Sequence, residues 1–276
     1  EAVVTPFVAS YRCGKTPNPC INCNKAIKFG AFLNMARDLG YDYIATGHYA
    51  RVACDRDMDA YRLCKGVFEP KDQSYVLYHL TQEQLASVLM PLGDYNKEEV
   101  RALAREGWLR VHSKLESQDI CFIPDGDYAS FLDRYTGCAS SPGDFIDSQG
   151  RILGRHTGIS HYTIGQRKGL GISANEPLFV SAIDAETNTV VLGAADTVWS
   201  RALVACDVNW INPPPLNGRL EAKIRYGHQA VPATVSLLTG EGRVEVVFDD
   251  PQRAVTPGQA VVFYDGPYML GGGTIE

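Results

Sequence analysis

The sequence predicts an α/β first half followed by β-rich modules that end in a small antiparallel barrel. Three observations carry this. A helical repeat over 26–39 runs into a short apolar strand, two capped helices lie between 81 and 107, and beyond residue 135 the chain turns to short β-branched runs separated by Gly or Pro.

The first helix places Ile27, Ala31, Phe32, Met35, Ala36 and Leu39 on one face, and Gly40 stops it. Tyr43-Ile44-Ala45-Thr46 then reads as a short buried strand ending at Gly47-His48-Tyr49. A helix feeding such a strand is a βαβ fragment, and ligands gather at the carboxyl ends of strands in these sheets. Thr81 with Gln84 and Asn96 with Glu99 have the spacing of capping boxes. The first leads a helix through Leu85, Val88 and Leu89 to Pro91; the second leads one through Val100, Leu103 and Ala104 to Gly107.

Past residue 135 the helical signal fades. Phe145-Ile146-Asp147 and the Gln149-Gly150 turn predict a hairpin, and Leu178-Phe179-Val180 and Val190-Val191-Leu192 predict strands around Asn188. Pro213-Pro214-Pro215 marks a boundary or turn, with a strand over 202–208 already able to belong to the last module. Leu220–Arg225, Val231–Leu238, Val244–Phe248 and Ala260–Tyr264 have the length and spacing of a small antiparallel barrel.

Composition bounds the function. The chain has 276 residues, 45% apolar and 21% charged, with a net charge of −6. That length suggests about two domains at ~150 residues each, with a sizeable core. The composition excludes disordered, collagen-like and disulfide-scaffold classes. No uncharged apolar stretch approaches the ~18 residues of a membrane span, so no membrane partner is expected. No apolar block follows a basic start as in a signal peptide. The eight cysteines read as thiols of a cytoplasmic protein. The opening at Glu1, not Met, suggests a piece of a longer chain.

The acidic balance argues against nucleic acid only globally. Arg12, Lys15, Lys25 and Lys28 lie in a segment without acids, as do Arg151, Arg155, Arg167 and Lys168. Such patches bind phosphate locally or are simply solvated. In Pro17-Asn18-Pro19-Cys20-Ile21-Asn22-Cys23 two prolines hold an extended loop ahead of a helix. Cysteines at a helix N-terminus, with Lys25 beside them, are expected to have a lowered thiol pKa. The Cys-x-x-Cys pair is open to several readings: a zinc half-site, a redox pair, iron–sulfur ligands or incidental thiols. Four-cysteine zinc needs a second close pair, which the sequence lacks. Cys121 follows Ser117-Gln118-Asp119-Ile120 and fits either a reactive thiol or a buried strand cysteine.

Together these segments resemble the tRNA-specific 2-thiouridylases of bacteria and organelles. The resemblance runs in order along the chain: Gly14-Lys15-Thr16-Pro17-Asn18-Pro19, Cys23-Asn24-Lys25, Ile27-Lys28-Phe29, Ala45-Thr46-Gly47-His48-Tyr49, Lys71-Asp72-Gln73-Ser74-Tyr75, Ser117-Gln118-Asp119-Ile120-Cys121-Phe122-Ile123, Gly158-Ile159-Ser160 through Thr163-Ile164-Gly165-Gln166-Arg167-Lys168-Gly169-Leu170, Ile224-Arg225-Tyr226, Pro257-Gly258-Gln259 and Gly271-Gly272-Gly273. It implies part of an ATP-pyrophosphatase-like, Rossmann-type α/β domain over 1–135, a small central domain over 136–200 and a C-terminal antiparallel β-barrel over 201–276. It implies ATP-dependent thiolation of the wobble uridine of tRNA, the C2 oxygen being adenylated and then replaced by sulfur.

The resemblance also implies roles for residues. Cys121 would carry the sulfur as a persulfide, delivered by a donor protein or by sulfide; Cys23 would release it, and a disulfide between the two would end the cycle. Gly47 would lie against ATP, which comes with Mg2+. Asn18, Pro19 and Cys20 would meet the target base, and His48, Lys71, Asp72, Gln73, Arg225, Tyr226 and Gln259 would touch tRNA. Position 20 departs from the Asp of many relatives. With Cys there, Cys20, Cys23 and Cys121 could together hold a [4Fe–4S] cluster. The family's Gly-rich, Ser-containing pyrophosphate loop is not found in these residues. A catalytically incomplete tRNA-binding fragment is therefore the alternative expectation, with a zinc-stabilised structural protein behind it.

Overall fold

The computed structural model describes residues 1–109, 120–213, 218–238 and 242–276. Ser117-Gln118-Asp119 and Pro214-Pro215 lie outside the described residues.

α1 (Val4–Arg12) buries Phe7, Val8 and Tyr11 against Ile123 and Leu132, the latter on α6 (Tyr128–Thr136). A second helical run is α-helical over Pro19–Cys23 (α2), π-helical over Asn24–Phe32 and α-helical again over Leu33–Asp38 (α3). Its start follows from local chemistry. Asn18 caps it, its Oδ1 accepting from Cys20 N at 3.1 Å, and Pro19 takes the first position, where a missing N–H costs nothing. The helix predicted over 26–39 is therefore present, but its core face is not the predicted one. Phe29, Leu33 and Ala36 are buried, whereas Ile27, Phe32, Met35 and Leu39 are exposed by 45–69%. Periodicity finds an apolar stripe without saying which neighbour meets it, and the π-helical stretch, with more residues per turn, rotates the stripe.

β1 (Ile44–Ala45) pairs in parallel with β4 (Val88–Leu89). This corrects the second helix. Both capping boxes form, at Thr81/Gln84 and Asn96/Glu99, but α4 (Gln82–Leu85) stops after one turn and Val88-Leu89 becomes a strand. α5 (Lys97–Glu106) runs as expected to Gly107. Between them, the hairpin β2 (Ala50–Asp55) and β3 (Ala60–Lys65) was not foreseen.

The central sheet has the order β6-β5-β8-β7, from β5 (Gly143–Ile146), β6 (Ile152–His156), β7 (Phe179–Asp184) and β8 (Thr189–Gly193). Both predicted hairpins are there, Asn188 turning the second with φ 52°. Phe145, Tyr162, Leu170, Val180, Val190 and Leu192 form its core.

The C-terminal strands β9 (Trp199–Trp210), β10 (Arg219–Lys223), β11 (Val231–Leu237), β12 (Val244–Arg253), β13 (Ala260–Asp265) and β14 (Tyr268–Ile275) pair in the order β13-β10-β11-β12-β9-β14, and β14 returns to β13. The result is a closed six-stranded antiparallel barrel, which leaves no open edge. β3 adds to it through Tyr268↔Cys64 and Met269↔Leu63. The barrel shares a core with the α/β part. Tyr264 and Met269 pack in one cluster with Tyr75, Leu77 and Leu80, and Tyr75 OH donates to Ala260 O at 2.8 Å. The chain thus has the expected mixed class: an α/β unit, a small central sheet and a C-terminal barrel.

Candidate active site

The proline loop carries two thiols to a place that a third reaches from elsewhere in the chain. Cys20 sits exposed on the first turn of α2, Cys23 is half-buried at its end, and Cys121 lies exposed in a turn just ahead of the buried Ile123. The reading of Cys121 as a buried strand cysteine is thereby corrected. Cys121 and Cys23 both act electrostatically on Cys20, so segments far apart in sequence share one neighbourhood. Desolvation by the surrounding atoms and these two thiols raise the Cys20 pKa, and Lys28 only partly opposes them. The expected lowering is reversed at this position, because desolvation and the neighbouring thiols outweigh Lys28 and the helix dipole.

Although neighbours, the thiols do not form a metal site. Among the described residues no group of three or more His, Cys, Asp or Glu side chains can hold a metal ion. Cys20, Cys23 and Cys121 are therefore not gathered as three ligands for a [4Fe–4S] cluster, and no step below passes through a metal. All three cysteines are free thiols.

At the carboxyl end of β1 the backbone opens. A Cβ on Gly47 would meet only Leu92 Cδ1, at 3.6 Å, so the space over this glycine is open. Next to it His48 is buried, with Nε2 3.2 Å from Lys28 Nζ and Nδ1 2.9 Å from Thr46 Oγ1. The ammonium occupies Nε2, so Nδ1 carries the proton and donates to Thr46. Burial first, then Lys28, pushes the His48 pKa down to about 4. His48 is therefore neutral and holds Lys28 by the thiols.

The other resemblance-derived residues lie elsewhere, with much of their polarity used internally. Asp72 is buried and accepts from Gly66 N, Ser74 N and Ser74 Oγ at 3.0, 3.1 and 2.7 Å. Gln73 Oε1 accepts from Tyr49 N at 3.0 Å. Lys71 closes a short 3-10 turn, Glu69–Lys71. Arg225 Nη2 reaches Ile164 O, Ala254 O and Thr256 Oγ1, while Tyr226 is exposed and stands edge-on to Tyr75. A cleft of about 350 Å³ between Asp72 and Tyr226 also takes in Lys65, Lys223 and His228. Gln259 Nε2 donates to Thr16 O at 2.7 Å.

Three family models match in sequence: the tRNA methyl transferase HUP domain over residues 1–125, the tRNA methyl transferase PRC-barrel domain over 129–194 and the aminomethyltransferase beta-barrel domain over 200–275. The chain is 51% identical over 278 residues to the tRNA-specific 2-thiouridylase MnmA of Acetivibrio thermocellus, covering 100% of this chain and 77% of the relative. It is 52% identical to that of Carboxydothermus hydrogenoformans over 99% of this chain and 75% of the relative, and 49% identical to that of Clostridioides difficile over 100% and 77%. The chain belongs to the tRNA-specific 2-thiouridylase family. Family membership supports a sulfurtransferase that modifies tRNA, with a HUP domain suited to ATP. Among the described residues no helix is long and apolar enough to cross a membrane.

Sequence reasoning missed two features of this candidate site. The Lys28–His48–Thr46 chain joins residues too far apart to suggest a pair. His79, behind Phe29, is buried, and burial, then Lys25 and His48, push its pKa down to about 3 against the weaker pull of the Asn24 backbone. Both rings make stability pH-dependent. Their folded pKa values lie below the unfolded ~6.5, so the unfolded chain binds more protons between these values and stability falls as pH drops below 6.5. From pH 7.5 to 5 each histidine should cost about 2 kcal/mol. His156 and His228 are shifted down too, and the lowered carboxylates Asp55, Asp127, Asp147 and Asp184 titrate below this window. Urea midpoints should drop steeply across it, less so in His79→Leu. Equal midpoints at pH 7.5 and 5 would contradict the buried neutral rings.

Proposed function

We propose that this chain replaces the C2 oxygen of the wobble uridine of tRNA by sulfur, using ATP, in the cytoplasm. The observation that carries the reading is the meeting of Cys20, Cys23 and Cys121 at the start of α2. The named activity of its relatives supports it.

Bound ATP supplies adenylation, which makes the C2 oxygen a leaving group. The open backbone of Gly47 would hold the nucleotide, and Lys28, kept in place by neutral His48, would face its phosphates or those of the RNA. Asn18, Pro19 and Cys20 would border the extruded uridine, as base-modifying enzymes require. Cys121 takes sulfane sulfur from a donor protein's persulfide, releasing the donor thiolate, or sulfide attacks Cys121 Sγ of a Cys23–Cys121 disulfide and expels the Cys23 thiolate; either way Cys121 holds a persulfide. Its terminal sulfur attacks C2, and AMP leaves with the oxygen. The Cys23 thiolate then attacks Cys121 Sγ. The S–S bond breaks with its electron pair going to the sulfur on C2, leaving 2-thiouridine and a Cys23–Cys121 disulfide for sulfide or a thiol reductant to open.

Two results test the adenylation half. AMP should form from ATP only when unthiolated tRNA is added; AMP formation indifferent to tRNA would sink the reading. In Gly47→Ala it should fall at least about tenfold with the thermal midpoint unchanged, since the added Cβ would meet only Leu92. A fall in stability to match would show that the glycine serves the fold instead.

A further inference from the structure

We propose, on the reading that this chain acts on tRNA, that Arg167 and Lys168 of the central domain form a clamp for backbone phosphates of the RNA beside the target nucleotide.

Arg151, Arg155, Arg167 and Lys168 share one sequence segment without acids, and folding divides them. Arg151 Nε lies 2.7 Å from Asp147 Oδ2, and Arg155 Nε lies 3.9 Å from Asp144 Oδ1, so the first two cations already face carboxylates on or next to β5. Arg167 and Lys168 are both exposed, and among the described residues neither side chain has an acidic partner. In a chain of net charge −6, two adjacent cations without a carboxylate make a local positive spot that a polyanion can find. A planar guanidinium suits a phosphate's paired oxygens, and the next residue sets an ammonium one Cα step, about 3.8 Å, along the chain.

The loop that carries them is held firmly. Tyr162 and Leu170, on either side, are buried in the core of the central sheet. Gly165 N donates to Val180 O at 2.8 Å and Val180 N to Gln166 O at 2.9 Å, which fastens the loop to β7. Gln166 braces it from within, Oε1 accepting from Thr163 N at 3.1 Å and Nε2 donating to Lys168 O at 3.0 Å. Gly165 and Gly169 take φ +86° and +77°, which L side chains rarely adopt. The backbone is thus ordered before RNA arrives, and binding has only two side chains to fix.

The loop also borders the reaction site. Thr16 Oγ1 donates to Thr163 Oγ1 at 3.4 Å, and Asn18 follows two residues later, about 7 Å of chain at most. A cleft of about 300 Å³ lined by Thr163 and Gln166 takes in Gly126 and Asp127, just past the turn of Cys121. A strand whose target base enters at Asn18 would therefore pass these two cations.

The test measures binding of an unthiolated tRNA transcript to the intact chain, without ATP or sulfur donor, from about 50 to 200 mM salt. Each cation that neutralises a phosphate adds about 1 to the slope of log affinity against log salt. The double variant Arg167→Gln, Lys168→Gln should therefore lose about 2 from the parent's slope and bind at least about tenfold more weakly at low salt. Arg167→Lys, which keeps the charge, should keep the slope. Lys168→Gln alone should lose about 1, and serves if the double variant fails to fold. Arg151→Gln with Arg155→Gln removes the same formal charge from cations that face carboxylates, and should leave the slope unchanged. In thiolation assays the double variant should raise the KM for tRNA and leave kcat near the parent's. An unchanged slope in the double variant, an equal loss in the Arg151, Arg155 control, or a parent whose tRNA binding ignores salt would overturn the clamp. Slopes as expected with no 2-thiouridine formed would sink the thiolation reading and leave the clamp standing.

Discussion

Replacing Cys121 with serine is expected to lower 2-thiouridine formation at least about a thousandfold, the loss typical of a removed covalent nucleophile. The persulfide reading demands this. A hydroxyl neither accepts sulfane sulfur nor ionises near neutral pH, so no sulfur would reach C2. The loss has to be chemical, because Cys121 is exposed and serine differs by one atom. A surface change of that kind shifts stability by about 0.5 kcal/mol or less. The thermal midpoint and tRNA affinity should therefore match the parent. Retained thiolation would remove Cys121 from the mechanism, and a joint loss of folding and activity would leave its role structural.

The second large effect is expected at Gly271. Barrel closure lays β14 between β9 and β13, pairing Gly271 with Trp210 on one side and Phe263 on the other. A Cβ on Gly271 would collide with the carbonyl oxygen of Asn209 and come within 3.0 Å of Trp210 Cα. Gly272 is as confined, its Cβ position lying 2.7 Å from Val261 O and 2.8 Å from Tyr78 Cγ. The obstacles at Gly271 are mainly backbone, which no rotamer change relieves. Asn209 also ties β9 to the α/β part, its Nδ2 donating to Tyr78 O and Leu80 O at 2.7 and 3.1 Å. Strain at the seam would thus reach the domain junction. Gly271→Ala should destabilise the chain by about 3 kcal/mol, or roughly 8 °C in the thermal midpoint. Gly227→Ala, with nothing near its Cβ position, should stay within about 0.5 kcal/mol. Equal midpoints for the two variants would contradict the closed seam.

These glycines also show how far the fold was legible. Capping boxes, the hairpins around Gln149-Gly150 and Asn188, and five of the barrel strands could be read because each leaves a local mark in turn chemistry or β-branched residues. β14 left none: Gly271-Gly272-Gly273 reads as punctuation, and only the crowding of neighbouring strands makes glycine the residue that fits a strand there. Val88-Leu89 followed a true helix cap, and a two-residue strand is too short to show its period. The face of the helical run from Pro19 to Asp38 was misread because its buried members depend on a distant partner; Asn24 is inside, with Nδ2 donating to Val76 O at 3.0 Å.

At the candidate site the residue types were legible and their commitments were not. The thiols could be picked out, yet the raised pKa of Cys20 comes from burial first and then from Cys121, which arrives from the far end of the α/β part. Asp72 and Gln73 look like surface polar groups until Gly66, Ser74 and Tyr49 are found to occupy them. Gln259 lies 2.7 Å from a loop at the opposite end of the sequence, a contact that only the closed barrel creates.

The central claim is a division of labour in which Cys121 carries the sulfur and Cys23 releases it. The most direct measurement gives Cys23→Ser a sulfane-sulfur donor, ATP and unthiolated tRNA, then resolves protein and RNA under denaturing conditions. The account predicts a covalent protein–tRNA adduct through a disulfide to Cys121, released by reductant as 2-thiouridine and absent from Cys121→Ser. Free 2-thiouridine made at the parent rate by Cys23→Ser, or an adduct that persists in Cys121→Ser, would contradict it.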